Sequence, residues 1–114
     1  MFDYSQLMHG ILEGAILQII QCETSYGYEI VQKLQNVGID SIKEGSVYPL
    51  LLRLEKKGLI QAQMRPSAIG PSRKYYSITK TGEQNLAEFK AAWRKISLSM
   101  ESLFCLEITD STME

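Results

Sequence analysis

EGSVYPLLLRLEKKGLIQAQMR, residues 44–65, changes hydrophobic period in mid-stretch. In its first half Val47, Leu50, Leu51 and Leu54 stand at i, i+3, i+4 and i+7, the spacing of one helix face. Gly58 then interrupts, and Ile60, Ala62 and Met64 alternate with Gln61, Gln63 and Arg65, the period of a strand. The reading is a helix within Ser46–Lys57, stopped by Gly58, followed by a strand over Leu59–Arg65. Pro49 is tolerated only near a helix start, so the regular helix begins not much before Ser46.

Working outward, Pro66, Ser67, Gly70, Pro71 and Ser72 form a turn-rich tip, and Arg73–Thr79 alternates again with Tyr76 and Ile78 as the inward pair. This predicts a two-stranded hairpin, which must pack on helices to be stable. Upstream, Leu7, Ile11, Leu12, Ala15, Ile16, Ile19 and Ile20 predict one helix ending near Gln21. A second helix is predicted over Tyr26–Gln35, capped by Ser25, with Tyr26, Ile30 and Leu34 on one face and Gly38 after its end. Downstream, Thr79 is an N-cap for a last helix running to about Cys105, and residues 108–114 read as a frayed polar tail. The fold class is therefore mainly α with a small two-stranded antiparallel β-wing: a winged helix-turn-helix over residues 1–79, then a long C-terminal helix over residues 80–107 in the same compact unit. In such folds one helix enters the major groove and the wing follows the flanking backbone.

The bulk figures agree with one small domain: 114 residues, 45% hydrophobic and 22% charged. The stretch Gly14–Ile20 is too short to span a bilayer, and Met1–Asp3 has no basic leader character, so no membrane partner and a cytoplasmic location are expected. Cys22 and Cys105 are too few for a disulfide framework. The formal net charge is −1, but residues 43–80 hold eight basic against two acidic residues, a net +6, and the remainder holds four against eleven, a net −7. A basic middle between acidic ends suits a protein that offers one face to a polyanion; an unevenly charged solvated surface has the same signature.

The candidate DNA-contacting residues follow from this. Ser46, Pro49, Arg53 and Lys56 share the face opposite the leucines, facing either solvent or double-stranded DNA. Backbone amides near Gly45 and Ser46 lie at a helix start, where they suit a phosphate, and Ser46 and Tyr48 place hydroxyls at the leading end. Arg73 and Lys74 follow the wing tip, where cations suit a phosphate run. On the last helix Leu86, Phe89, Trp93, Ile96, Met100 and Leu103 recur at steps of 3, 4, 3, 4 and 3. That seam covers about two and a half heptads, and a small domain cannot cover all of a helix of about 26 residues, roughly 39 Å long. A homodimer is the expected solution, with Leu12 of the first helix in the same interface; packing against the first helix alone is the alternative. Trp93 and Phe89, with Met8 and Leu12, are the candidate lining of an interface site for a small planar aromatic effector, against the plainer reading that Trp93 fills the interface core. No catalytic or metal-binding set and no cofactor is expected. His9 is the sole histidine, neither cysteine sits in an electropositive setting, and no phosphate-binding glycine loop or metal-ligand spacing occurs.

These motifs resemble a known family. Tyr26-Gly27-Tyr28-Glu29-Ile30 is similar to its HGYEI element, with tyrosine in place of the usual histidine. Glu44-Gly45-Ser46-Val47-Tyr48-Pro49 and Leu54-Glu55-Lys56-Lys57-Gly58-Leu59-Ile60 resemble its EGTLYP…LEKxGLI signature. The segment from Gly70 to Thr79 resembles its GPPRRYYxLT wing. The family is that of PadR transcriptional regulators, and the likeness runs over about residues 5–100, closest to the small subfamily with a single C-terminal helix. The resemblance implies a bacterial cytoplasmic homodimer, usually a repressor, on an inverted-repeat operator near its own or a neighbouring promoter. It further implies DNA contacts from Tyr28, Ser46, Tyr48, Pro49, Arg73 and Lys74, and small members include drug sensors that use such a tryptophan. Lys43 departs from the pattern, standing where many members carry a serine or similar cap, which weakens capping and offers a phosphate contact instead. A winged-helix protein-interaction module without DNA binding is the competing function; the basic wing and the tyrosines weigh against it.

Overall fold

The computed structural model describes residues 2–106. Its elements run α1 (Tyr4–Met8), α2 (Leu12–Cys22), β1 (Ser25–Tyr26), α3 (Gly27–Asn36), α4 (Glu44–Lys56), β2 (Ile60–Arg65), β3 (Arg73–Ile78) and α5 (Lys80–Phe104). The expected tail over residues 108–114 lies outside the described residues.

The helix and strand read from residues 44–65 are both present, with α4 starting at Glu44, two residues before Ser46. Val47, Leu51 and Leu54 are fully buried. They pack with Ile16, Leu17, Ile20, Ile30 and Leu34 of α2 and α3 in one core cluster. Lys43 is the N-cap and gives no side-chain bond. Pro49 removes a backbone donor one turn into the helix, at an exposed position. Gly58, at φ +76°, closes the helix: its N–H reaches the Glu55 carbonyl and the Leu59 N–H the Leu54 carbonyl, both at 3.0 Å. Thr79 joins this stop to the next start. Its hydroxyl donates to the Gly58 carbonyl at 2.7 Å and accepts from the Gly82 N–H at 3.0 Å, capping α5. At Gly82 any side chain would collide with the Leu59 carbonyl, so helix and hairpin meet there at backbone distance.

Four expectations are corrected. The first helix is two: Gly10 at φ +93° turns the chain between Met8 and Leu12, although apolar periodicity runs through the break. Ser25 is no cap. It pairs with Tyr76, and Tyr26 with Tyr75, so the wing sheet has three strands in the order β1-β3-β2. Ser25 is buried with its hydroxyl donating to the Glu23 carbonyl at 2.8 Å, and Tyr26 caps α3, its N–H held by Glu29 Oε1 at 3.2 Å. Met64 is exposed, because the hairpin runs past the edge of the core after Ile60 and Ala62. Leu86, read as the first residue of a dimer seam, is 1% exposed and belongs to the core of its own chain.

The α2–α5 contact shows how one stripe serves two purposes. α2 ends beside β1, and α5 begins directly after β3, to which β1 is paired. At the other end of α2 the Phe89 ring lies where a Gly14 side chain would be. The two helices are thus antiparallel, and α5 leaves the domain beyond Phe89. The chain measures 69 × 30 × 20 Å, and Trp93, Ile96, Met100 and Leu103 are all exposed on the projecting half.

Leu86→Ala is expected to destabilise the domain itself by about 2–5 kcal/mol, the usual cost of emptying a buried leucine site. Urea unfolding checks this, and an unchanged midpoint would place Leu86 outside the core.

Candidate nucleic-acid interface

The starts of α3 and α4 and the strand β3 converge on an open groove of about 370 Å³, walled by Tyr26, Gly27, Tyr28, Glu44, Tyr48 and Arg73, with Ser72 and Lys74 at its rim. The leucine stripe produces this arrangement. With Val47, Leu51 and Leu54 inward, Glu44, Gly45, Ser46, Tyr48 and Pro49 are left exposed at the leading end of α4. Tyr28 and Tyr48 are 49% and 47% exposed, both large rings with a hydroxyl available to a partner. At Gly27 a methyl group would strike the Tyr48 ring, so the first turn of α3 must lack a side chain for Tyr48 to lie across it. The Tyr48 hydroxyl donates to Glu44 Oε2 at 3.4 Å. Burial, then the Glu44 charge and hydrogen bond, push the Tyr48 pKa above its ordinary value, so the group stays a neutral donor.

The aromatic residues of the wing hold its cations in place. Arg73 lies over the Tyr26 ring at 4.5 Å and Arg65 over Tyr75 at 4.9 Å, while Tyr26 and Tyr75 meet edge to face at 5.2 Å. Two of the cations expected at DNA are already engaged within the chain. Lys74 Nζ is 3.2 Å from Glu55 Oε1 on α4, a contact that also raises its pKa. Arg53 does not stand free on the recognition face: it binds Glu13 of α2 through Nε at 2.8 Å and Nη2 at 2.6 Å, and Lys57 reaches the same carboxylate at 3.4 Å. Burial pushes the Glu13 carboxyl up, but the bonds and charges of Arg53 and Lys57 outweigh it and hold the group below its ordinary 4.5. Lys43 is exposed beside the start of α4.

Sequence reasoning missed Tyr26, Glu44 and Ser72 as groove residues and Glu13 and Glu55 as anchors of the basic side chains. Glu44 was within reach, since it lies one turn before Tyr48. Glu13 was not, because 40 residues separate it from Arg53.

The residues expected at an effector site are not gathered within one chain. Phe89 and Trp93 line a depression of about 380 Å³ along α5 with Lys90, Arg94, Ser97 and Leu98. Met8, which is buried, and Leu12 line a different one of about 210 Å³ with His9, Glu13, Leu50 and Arg53. Among the described residues no His, Cys, Asp or Glu group of three could hold a metal ion, and no helix is long and apolar enough to cross a membrane.

A three-helix core carrying a small sheet as a wing beside an exposed helix start is the winged helix-turn-helix of a transcriptional regulator. The chain belongs to the transcriptional regulator PadR-like family, whose model matches residues 16–88, and that family is one of regulators, not of enzymes. A protein of Lysinibacillus sphaericus is 39% identical, over 87% of this chain and 96% of that one. The crystal structure of a PadR-like transcriptional regulator from Bacillus cereus is 46% identical, with a TM-score of 0.82 over 90% of this chain and 99% of the other. A Streptococcus transcriptional regulator is 45% identical, with a TM-score of 0.78 over 86% and 96%.

Because the folded pKa of Glu13 is depressed, its stabilising contribution is fully present above 4.5 and is lost as the pH falls through the lower folded value. Glu13→Gln should therefore lower stability at neutral pH, and the gap to the wild type should narrow as the pH is taken below 4.5. Urea midpoints of both proteins across that range check the sign; a gap that widens in acid would contradict it.

Proposed function

We propose that this chain is a homodimeric, DNA-binding repressor that acts in the cytoplasm on an inverted-repeat operator, with the start of α4 in the major groove and the wing on the flanking phosphates. The observation that carries the reading is the shared groove: Tyr28, Tyr48 and Arg73 come from three elements and open on one face. Ser46 and Pro49 extend that face along α4, and the helix-start amide of Gly45 suits a phosphate, while that of Ser46 donates to the Lys43 carbonyl at 2.9 Å. Lys43 adds a cation where the helix lacks a side-chain cap. Arg53 contributes mainly by holding α4 to α2 through Glu13.

The dimer reading rests on the projecting half of α5, where Trp93, Ile96, Met100 and Leu103 expose an apolar stripe that no other described residue covers. Each such side chain gains about 1.5–3 kcal/mol on burial, which favours pairing of two helices. Phe89 joins this interface from its seat on Gly14, and Leu12 borders it. A planar aromatic effector fits the depression between Phe89 and Trp93. Lys90 and Arg94 on its walls favour a ring that carries a carboxylate. It would release DNA only by binding the released state better.

Fluorescence anisotropy with DNA from upstream of the chain's own operon, over a salt series, tests the DNA reading. Replacing Arg73 and Lys74 together with alanine should weaken binding to all sequences and flatten the log K against log salt slope by about 1 to 2 units. Arg73→Ala alone should account for most of the change, since Glu55 already neutralises Lys74. An unchanged slope with unchanged affinity would remove the wing from the interface. Titrating the single-tryptophan fluorescence with phenolic acids tests the effector: quenching is expected, and none up to about millimolar, where binding is worth roughly −4 kcal/mol, would reduce Trp93 to interface packing.

A further inference from the structure

Glu44 is the only carboxylate among the described residues that line the groove between α3, α4 and β3, and it is exposed. Its surroundings set it apart from the other acids that meet basic side chains. Glu13 is bound by Arg53 and Lys57, Glu23 by Lys33 and Glu55 by Lys74. Among the described residues no lysine or arginine forms an ion pair with Glu44. Its partner is the Tyr48 hydroxyl, which donates to Oε2 at 3.4 Å. The Tyr48 ring is itself seated on the first turn of α3, where a Gly27 side chain would meet both the ring edge and the hydroxyl oxygen. An acid in the first turn of α4 is favoured by the helix dipole, and that accounts for a negative charge at this place. It does not account for a carboxylate bonded to a seated phenol on the wall that Arg73 shares. A cradle for phosphate alone would not carry an unneutralised carboxylate, since like charges repel.

We propose that the Glu44–Tyr48 pair reads one base edge in the major groove, and that this base is a cytosine, recognised by its N4 amino group. The inference rests on the DNA-binding reading and deepens it from a face of the protein to a single base. The choice of base follows from donors and acceptors. An ionised carboxylate only accepts, and a hydroxyl that has given its one proton to Glu44 has only lone pairs left. The pair therefore offers acceptors to the groove. Guanine shows N7 and O6 there and thymine O4, so either base would set acceptor against acceptor and leave both unpaired. Cytosine N4 and adenine N6 are the amino groups on that side. They differ in what stands beside them. Adenine carries N7, an acceptor that the second oxygen of the pair would face. Cytosine carries a C5–H, which lies without penalty against the Tyr48 ring. The charge of Glu44 works in the same direction. It weakens attachment to every phosphate run, and the loss is recovered only where a cytosine amino group meets the carboxylate. The pair thus raises the ratio of specific to non-specific binding.

Binding-site selection from a pool of random duplexes tests this, using the intact wild type, Glu44→Gln, Glu44→Ala and Tyr48→Phe. The wild type should select cytosine at one position of each half-site, by about tenfold over the other bases. Both Glu44 variants should erase the preference at that position, and Tyr48→Phe should weaken it, with the other positions unchanged. A selected duplex carrying N4-methylcytosine at that position supplies the second arm, which needs no variant. The one N–H of the modified base is taken up in pairing with guanine, and its methyl group covers the groove side. Wild-type affinity should therefore fall about tenfold, and that of Glu44→Ala should barely change. An unaltered preference in Glu44→Ala, stronger binding of that variant to all sequences alike, adenine at the Glu44-dependent position, or wild-type indifference to N4-methylcytosine overturns the assignment and leaves DNA binding standing. A wild type that selects no sequence overturns both.

Discussion

Everything at the proposed DNA-facing surface depends on the burial of Val47, Leu51 and Leu54. These three side chains have no solvent exposure, and together they fix the rotation of α4 about its own axis. Turning the helix by one residue, about 100°, would bring Tyr48 or Leu52 into the core and expose a leucine, at a cost of several kcal/mol. The helix start therefore has one orientation available. Gly27 allows α3 to approach closely enough for Tyr48 to lie over it, and Gly58, Thr79 and Gly82 tie the end of α4 to the wing and to α5 at backbone contact. Recognition helix, wing and projecting helix are in this way positioned by one small set of short-range contacts.

What the sequence revealed and what it hid divide along physical lines. α4, the hairpin and the Thr79 cap were legible because each is decided by neighbours in sequence: an i, i+3, i+4, i+7 stripe, a glycine stop, a turn between alternating runs, a hydroxyl before a helix. β1 was not, because two residues carry no period, and only pairing with Tyr75 and Tyr76, some 50 positions away, makes them a strand. The break at Gly10 was hidden for a related reason. A glycine inside an apolar period is compatible with a continuous helix, and only the positive φ reveals the turn. The seam on α5 was legible as a stripe, but a stripe does not say which part of it faces its own chain. Leu86 is taken up by the core and Phe89 only in part, and the stripe becomes fully exposed at Trp93.

The charge pattern shows a similar division. The net +6 between residues 43 and 80 locates the basic side of the molecule, but it overstates the charge presented to a polyanion. Glu13 comes from outside that segment and takes up Arg53 and Lys57, and Glu55 from within it takes up Lys74. Arg73 is held against Tyr26 by its ring face and, among the described residues, not by a carboxylate. The proposed recognition surface therefore relies more on tyrosine hydroxyls, the start of α4 and arginines ordered by tyrosine rings than on a dense basic patch. Such a surface favours base and shape readout over purely electrostatic attraction.

Hydroxyl-radical footprinting of the intact protein on the DNA upstream of its own operon tests this account most directly. A two-fold dimer with one α4 per major groove should protect two patches on the same face of the duplex, about 10–10.5 base pairs apart or a multiple of that, with weaker flanking protection from each wing. Protection of a single patch, of two patches on opposite faces, or of none at concentrations where the protein is dimeric would contradict it.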